Sequence, residues 1–229
     1  VTTTMRHQKR RPVVLAPMLV GTAILVASGC TVDGEGVAGA ADLSHDSVAA
    51  SDFPGGSASR VPQPAVPAAL ADLTGHPLHG SVTPPQCTPV GLPADGAAVL
   101  VGPDPDNSTA TFTSAVTRAG RSLADVTTQA RNCPRVISGS APTATSLVTV
   151  QVLAAPRKQS VDTAALRRQI ATGNVGSSAL TTGTTTLMAQ HSGVRVTVEY
   201  RRQGAEPMSA RESDQLASLF DKAVDAAFG

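Results

Sequence analysis

Val194-Arg195-Val196-Thr197-Val198-Glu199-Tyr200-Arg201 is the stretch on which the fold turns. Val194, Val196, Val198 and Tyr200 alternate with Arg195, Thr197, Glu199 and Arg201, the two-residue period of a half-buried strand. His191-Ser192-Gly193 offers a turn back to the Thr-rich residues 184–190, an antiparallel partner. Downstream, Ser209-Ala210-Arg211-Glu212 makes a capping box. From there Leu216, Leu219, Phe220, Ala223 and Ala227 fall on one face of a helix, with Phe228 at its end. A hairpin followed by a closing amphipathic helix predicts an α+β domain, an antiparallel sheet covered by helices.

Three more strands are predicted upstream. Residues 97–101 form a short apolar run that stops at Gly102-Pro103. In residues 109–116, Ala110, Phe112 and Ser114 oppose Thr109, Thr111 and Thr113, and the polar residues 104–108 close a hairpin between the two. Residues 147–153 alternate in the same way. Ser122 followed by Asp125 reads as an N-cap, with Leu123, Val126, Ala130 and Cys133 on one helical face and Pro134 as the stop. Residues 160–171 read ambiguously: Val161, Leu166 and Ile170 suit a short helix with Asp162 near its start, and a glycine- and serine-rich mobile loop is expected after them. Prolines 62, 64, 67, 77, 84, 85, 89 and 93 forbid long helices before Ala94, leaving at most a helical turn over residues 68–73.

The N-terminus is of another kind. Arg6, Lys9, Arg10 and Arg11 precede the apolar residues 13–26 and then Ala27-Ser28-Gly29-Cys30, the layout of an export signal with a lipobox. The apolar run is short of the ~20 residues a membrane-spanning helix needs. The expected organisation is a signal peptide over residues 1–29 cut after Gly29, a flexible tether over residues 30–52 beginning at lipidated Cys30, and one extracytoplasmic domain over residues 53–229. Diacylglycerol and palmitate chains on Cys30 would hold the protein to the outer face of the cell membrane. Either twin-arginine or general export fits the basic residues.

Removing the signal takes four of the 18 Lys and Arg, leaving 14 against 17 Asp and Glu, a net charge near −3. The balance gives no footprint for nucleic acid. With no Trp, one Tyr and four Phe, the core must be filled by Val, Leu and Ala. The Ala/Val/Thr/Gly-rich, Lys-poor composition resembles that of proteins from high-GC actinobacterial genomes. With Cys30 lipidated, Cys87 and Cys133 remain as an even pair in an oxidising compartment and are expected to form a disulfide. Closing that loop stabilises by roughly 4 kcal/mol in the chain-entropy model.

The lipobox, the spacer, Asp52-Phe53-Pro54-Gly55, the Pro84-Pro85-Gln86-Cys87 step, a second cysteine near a helix end and the C-terminal helix together resemble a family of mycobacterial-type lipoproteins. Their exported domain is similar to the extracellular sensor domain of the kinase PknH. The resemblance covers residues 53–229 and implies an α+β domain with a disulfide, a cleft and no established catalytic residues. PknH-type domains carry more than one disulfide, whereas this domain has cysteines for one.

Candidate chemistry is sparse. His76 and His79, with Asp72 before them, have zinc-ligand types, but Pro77 lies inside the pair and no fourth ligand is evident. G-x-S-x-G, G-x-x-x-x-G-K-[ST] and G-x-G-x-x-G are absent. Asp104 and Asp106 fit turn chemistry beside Pro103 and Pro105. Arg118, Arg121, Arg131, Arg135, Arg157, Lys158, Arg167 and Arg168 would meet anionic headgroups if they shared a face. No catalytic residue, metal site or cofactor is expected. The expected function is a non-catalytic envelope lipoprotein that binds a lipid, glycolipid or other small ligand; the alternative is a sensory or interaction module docking on an envelope protein partner. A hydrolase would have to recruit His191, the histidine of the C-terminal half.

Replacing the anchor residue checks this layout. Cys30→Ala should move the protein from the detergent phase to the aqueous phase on Triton X-114 partitioning; retention in detergent would contradict lipidation at Cys30.

Overall fold

The computed structural model describes residues 41–139, 145–173 and 180–229. The signal, Cys30 and most of the expected loop after residue 173 lie outside them. The elements in chain order are β1 (Ser59–Arg60), α1 (Val66–Thr74), β2 (Ser81–Thr83), β3 (Ala98–Asp104), β4 (Asn107–Arg118), α2 (Leu123–Asn132), β5 (Arg135–Gly139), β6 (Thr145–Leu153), β7 (Asp162–Thr172), β8 (Leu180–His191), β9 (Val194–Gln203) and α3 (Ala210–Phe228). All nine strands form one sheet in the order β1-β3-β4-β9-β8-β7-β6-β5-β2, with every neighbouring pair antiparallel. The fold is α+β, with helices on both faces of the sheet.

The β8–β9 hairpin forms as the alternation requires. His191 pairs with Val194 across Ser192 and Gly193, both at positive φ, the geometry a two-residue hairpin turn demands. Apolar residues of β4 and β9 then share a face: Ala110, Phe112 and Val116 with Val196, Val198 and Tyr200. α3 covers them with Leu216, Leu219, Phe220, Ala223 and Val224. Phe112 and Tyr200 pack with ring centroids 4.8 Å apart. Gly102 is obligatory here, because a Cβ would lie 2.6 Å from the Ser57 carbonyl and 2.7 Å from the Phe53 ring. On the opposite face α1 packs on β3, burying Val66, Leu70 and Leu73 against Val99 and Ala115. α2 crosses β6, β7 and β8 on that face, with Leu123 against Ala164 and Met188.

Three expectations need correction. β9 is buried on both faces rather than half-buried: Arg195, Thr197 and Glu199 are 5%, 3% and 1% exposed, because α1, α2 and the proline-rich segment cover the second face. Residues 162–172 form a central strand, not a helix. Leu166 and Ile170 are four residues apart, a spacing that keeps side chains on one face in either structure. The folded part also begins before Phe53. Leu43 and Val48 sit in the α3-side core, and Lys222 Nζ donates to the Asp52 carbonyl at 3.0 Å, so the last ten residues of the expected tether pack on the domain. Two isolated apolar residues among small ones do not raise the average hydropathy, yet each finds a core position.

Ser209 Oγ accepts from Glu212 N–H while the Glu212 carboxylate accepts from Ser209 N–H at 2.6 Å, as the capping box predicts. The buried Tyr200 hydroxyl is shared between the Glu212 and Asp104 carboxylates, tying α3 to β9 and to the β3–β4 turn. Burial and the two acids push the Tyr200 hydroxyl far above its ordinary value, so it stays protonated. Burial pushes the Glu212 carboxyl up, but the hydrogen bonds from Tyr200 and Ser209 and the Arg202 charge outweigh it and hold the group below its ordinary 4.5. A carboxyl depressed in the folded state stabilises fully above its unfolded value, and that stability is lost as pH falls through the folded one. Glu212→Gln should therefore cost about 1–2 kcal/mol at neutral pH, and urea denaturation should show the gap to wild type closing as pH falls below about 4.5.

Candidate functional site

The face of the sheet under α1 and α2 is unlike the α3 face. Register brings Arg195, Thr197 and Glu199 of β9 beside Gln190, Met188 and Thr186 of β8, and these beside Asp162, Ala164 and Leu166 of β7, with Arg168 one pair further on beside Thr184. Val150 and Val148 of β6 and Val136 of β5 continue the same face outward. Polar residues thus line its centre and β-branched residues its outer part.

Arg168 holds the centre together. Its side chain is 6% exposed, and Nη2 donates to Glu199 Oε2 at 2.6 Å and to the Leu73 and Asp72 carbonyls at 2.7 and 3.3 Å. The last two acceptors are carbonyls of the final turn of α1, where a buried cation is favoured by the helix dipole; the Asp72 carbonyl also accepts from Gly75 N–H. Thr186 Oγ1 donates to the same Glu199 oxygen at 2.9 Å. Arg201 bridges Glu199 Oε1 at 3.3 Å and Asp72 Oδ2 at 2.7 Å. Burial draws the Arg201 guanidinium down, but Glu199 and Asp72 outweigh it and raise it overall. Arg195 instead donates to Gln190 Oε1 at 2.8 Å and to the Arg121 carbonyl, with no carboxylate in salt-bridge contact among the described residues. Burial alone pulls its guanidinium below the ordinary value.

Above this floor, Cys87 and Cys133 form the expected disulfide, which fastens the proline-rich segment to the end of α2. Gln129 of α2 donates to the Thr88 carbonyl at 2.9 Å, and His76 Nδ1 lies 2.7 Å from the Pro89 carbonyl. The segment becomes a strap over a cleft with two adjoining lobes. One, of about 70 Å³, lies over Arg195, Thr197, Thr186 and Met188 and is walled by Leu92 and Val126. The other, of about 110 Å³, is lined by Val82, the disulfide, Val136, Val148, Ile170 and Gly75. Leu166, Arg168, Val126, Gln129, Thr74 and Pro89 border both lobes.

The basic residues singled out in the sequence divide between faces. Arg168 lies in the cleft and Arg121 at its edge, whereas Lys158 pairs with Asp221 of α3 at 2.8 Å and Arg167 donates to the Ala205 carbonyl. They do not form one cationic surface. Asp72, His76 and His79 do not converge: Asp72 pairs with Arg201, His76 faces the strap and His79 is exposed. Asp104 and Asp106 form the β3–β4 turn, with Asp106 N–H on Asp104 Oδ1. His191 stands edge-on to Phe228, ring centroids 5.9 Å apart, away from the cleft. Glu199 and Arg195 went unrecognised as site residues because an alternating polar set reads as a solvent face. The signal available was the charge sequence Arg195, Glu199, Arg201 opposite Arg167-Arg168 in a chain with few charges.

Architecture and cleft together define a disulfide-strapped sheet domain with a cavity on one face. An X-ray structure of an uncharacterised protein from Mycobacterium smegmatis, an ortholog of Rv0999, is similar with TM-score 0.44 and 14% identity, covering 75% of this chain and 85% of its own. The extracellular domain of PknH from Mycobacterium tuberculosis is similar with TM-score 0.37 and 15% identity, covering 73% and 98%. The second is the sensor domain that the sequence pattern resembles. No protein-family model matches the chain, and no curated protein matches its sequence.

Breaking the central pair should be costly. Glu199→Gln leaves Arg168 and Arg201 without their shared buried carboxylate and should lower stability by about 3–5 kcal/mol in chemical denaturation. A loss under 1 kcal/mol would mean that the pair does not hold the two faces together.

Proposed function

We propose that this chain is a non-catalytic, extracytoplasmic binding domain, tethered to the cell membrane through lipid on Cys30, that holds a lipid, glycolipid or other small ligand in the cleft under α2. The observation that carries this reading is the larger lobe, a chamber walled by Val82, Val136, Val148, Ile170 and the disulfide and adjoining a second lobe onto which Arg195, Thr197 and Thr186 face. An apolar pocket with a few convergent polar groups is the usual form of a small-molecule site. The lining supports binding over catalysis: no histidine lines either lobe among the described residues, and the Glu199 carboxylate is engaged by Arg168, Arg201 and Thr186. The lipobox and the oxidised cysteine pair support the location. No helix among the described residues is long and apolar enough to cross a membrane, so attachment in this reading falls to Cys30.

Native mass spectrometry of the protein carrying Cys30→Ala, secreted from a mycolate-bearing actinobacterial host and extracted gently, tests the reading. A stoichiometric adduct that withstands desalting and is lost on Val136→Phe is the expected result. A bare mass, with no adduct on titration of host lipid extract, would overturn it in favour of a protein-interaction module.

A further inference from the structure

Arg168 carries more than the ion pair. Its Nη2 makes three hydrogen bonds, whereas Nη1 is buried with no partner, in a residue only 5% exposed. Nη1 lies against Gly75, where an added Cβ would sit 2.6 Å from it, and Gly75 and Arg168 both line the larger lobe. A charged N–H donor without an acceptor is costly to bury, and a carboxylate is the acceptor a guanidinium takes best. Arg195, with no carboxylate in salt-bridge contact among the described residues, lines the adjoining lobe and adds positive charge to the same cleft.

Resting on the reading of this cleft as a ligand site, we infer that the ligand is a small carboxylic acid. Its carboxylate is received by Arg168 Nη1, and its compact apolar body lies between the disulfide and the valine wall. One free guanidinium nitrogen, on an arginine whose charge is already shared with Glu199, suits a single carboxylate better than a phosphate dianion. The size follows from the lobe. An apolar cavity of about 150 Å³ takes up benzene, and this lobe offers about 110 Å³. That is the smaller of the two, so a ring or the first carbons of one chain would also use the adjoining lobe of about 70 Å³, and two acyl chains would not fit.

Isothermal titration calorimetry with benzoate and octanoate, and with the neutral benzamide and octanamide, tests the inference on the Cys30→Ala protein freed of any adduct. The expected result is an acid bound about tenfold more tightly than its amide. Arg168→Gln combined with Glu199→Gln removes both charges of the pair, which perturbs folding less than removing one, and should bring acid and amide to parity. Val136→Phe fills the lobe, leaves the ion pair in place and should abolish binding of both. Amides binding as tightly as acids in the wild-type protein would overturn the carboxylate inference while leaving the cleft a binding site. No binding of any of the four, beside a retained lipid adduct in native mass spectra, would do the same. No binding beside a bare mass would remove both readings.

Discussion

The buried Arg168–Glu199 pair is the interaction on which the cleft face depends. It joins β7 to β9 across β8, and through the Leu73 and Asp72 carbonyls it seats the end of α1 on the sheet. A pair this deep is not a cheap source of stability, since desolvating both ions offsets most of their attraction. What it provides is position. The guanidinium offers donors in a fixed fork, so α1 can end at only one place along β7. Gly75 completes the fit: at φ +75° it turns the chain out of α1, and without a Cβ it leaves room for Nη1.

The strap supplies what the pair cannot. Eight prolines between residues 62 and 93 remove donors and stop regular structure, so this segment makes few ladder hydrogen bonds of its own. β2 adds only three residues at the sheet edge. The disulfide, Gln129 and the His76 ring then fix the strap from outside the sheet. A roof held at such points, rather than by continuous apolar packing, leaves space beneath it. The α3 face has the opposite construction, with Phe112, Tyr200, Leu216, Leu219 and Phe220 in mutual contact. One face of the sheet is filled and the other is spanned.

How much of this was legible follows from which constraints are local. Ser192-Gly193, the capping box at Ser209 and Glu212, the N-cap at Ser122 and the alternation of Val196, Val198 and Tyr200 are set by residues within a turn of one another, and each appears where the sequence places it. The disulfide followed from parity and compartment. The short strands β1, β2 and β5 were not legible, because they owe their pairing to neighbours distant in sequence: Val82 pairs with Ser138, and Arg60 with Leu100. Residues 162–172 failed for another reason. Arg168 interrupts the apolar face of Ala164, Leu166 and Ile170, and Ala165 and Ala171 interrupt the polar face of Thr163, Arg167 and Gln169, so the two-residue period that distinguishes strand from helix is blurred. The candidate site was the least legible part, since Glu199 and Arg195 look like solvent-facing charges until α1 and the strap close over them.

That closure explains why the site lies where it does. Ionic and hydroxyl side chains on a central strand can be buried only if they satisfy one another or meet something else. Glu199, Thr186, Arg201 and Nη2 of Arg168 satisfy one another, while Nη1 of Arg168 and Thr197 Oγ1 are buried without partners at the edge of the space under the strap. A sheet meant only to be covered would carry valine and leucine at these positions, as the α3 face does, at lower desolvation cost. Polar groups at the centre of the sheet, a spanned rather than filled roof, and donors left over beside the two lobes are separate costs to stability. They have a common account if the cleft exists to hold a molecule with a charged end and an apolar body.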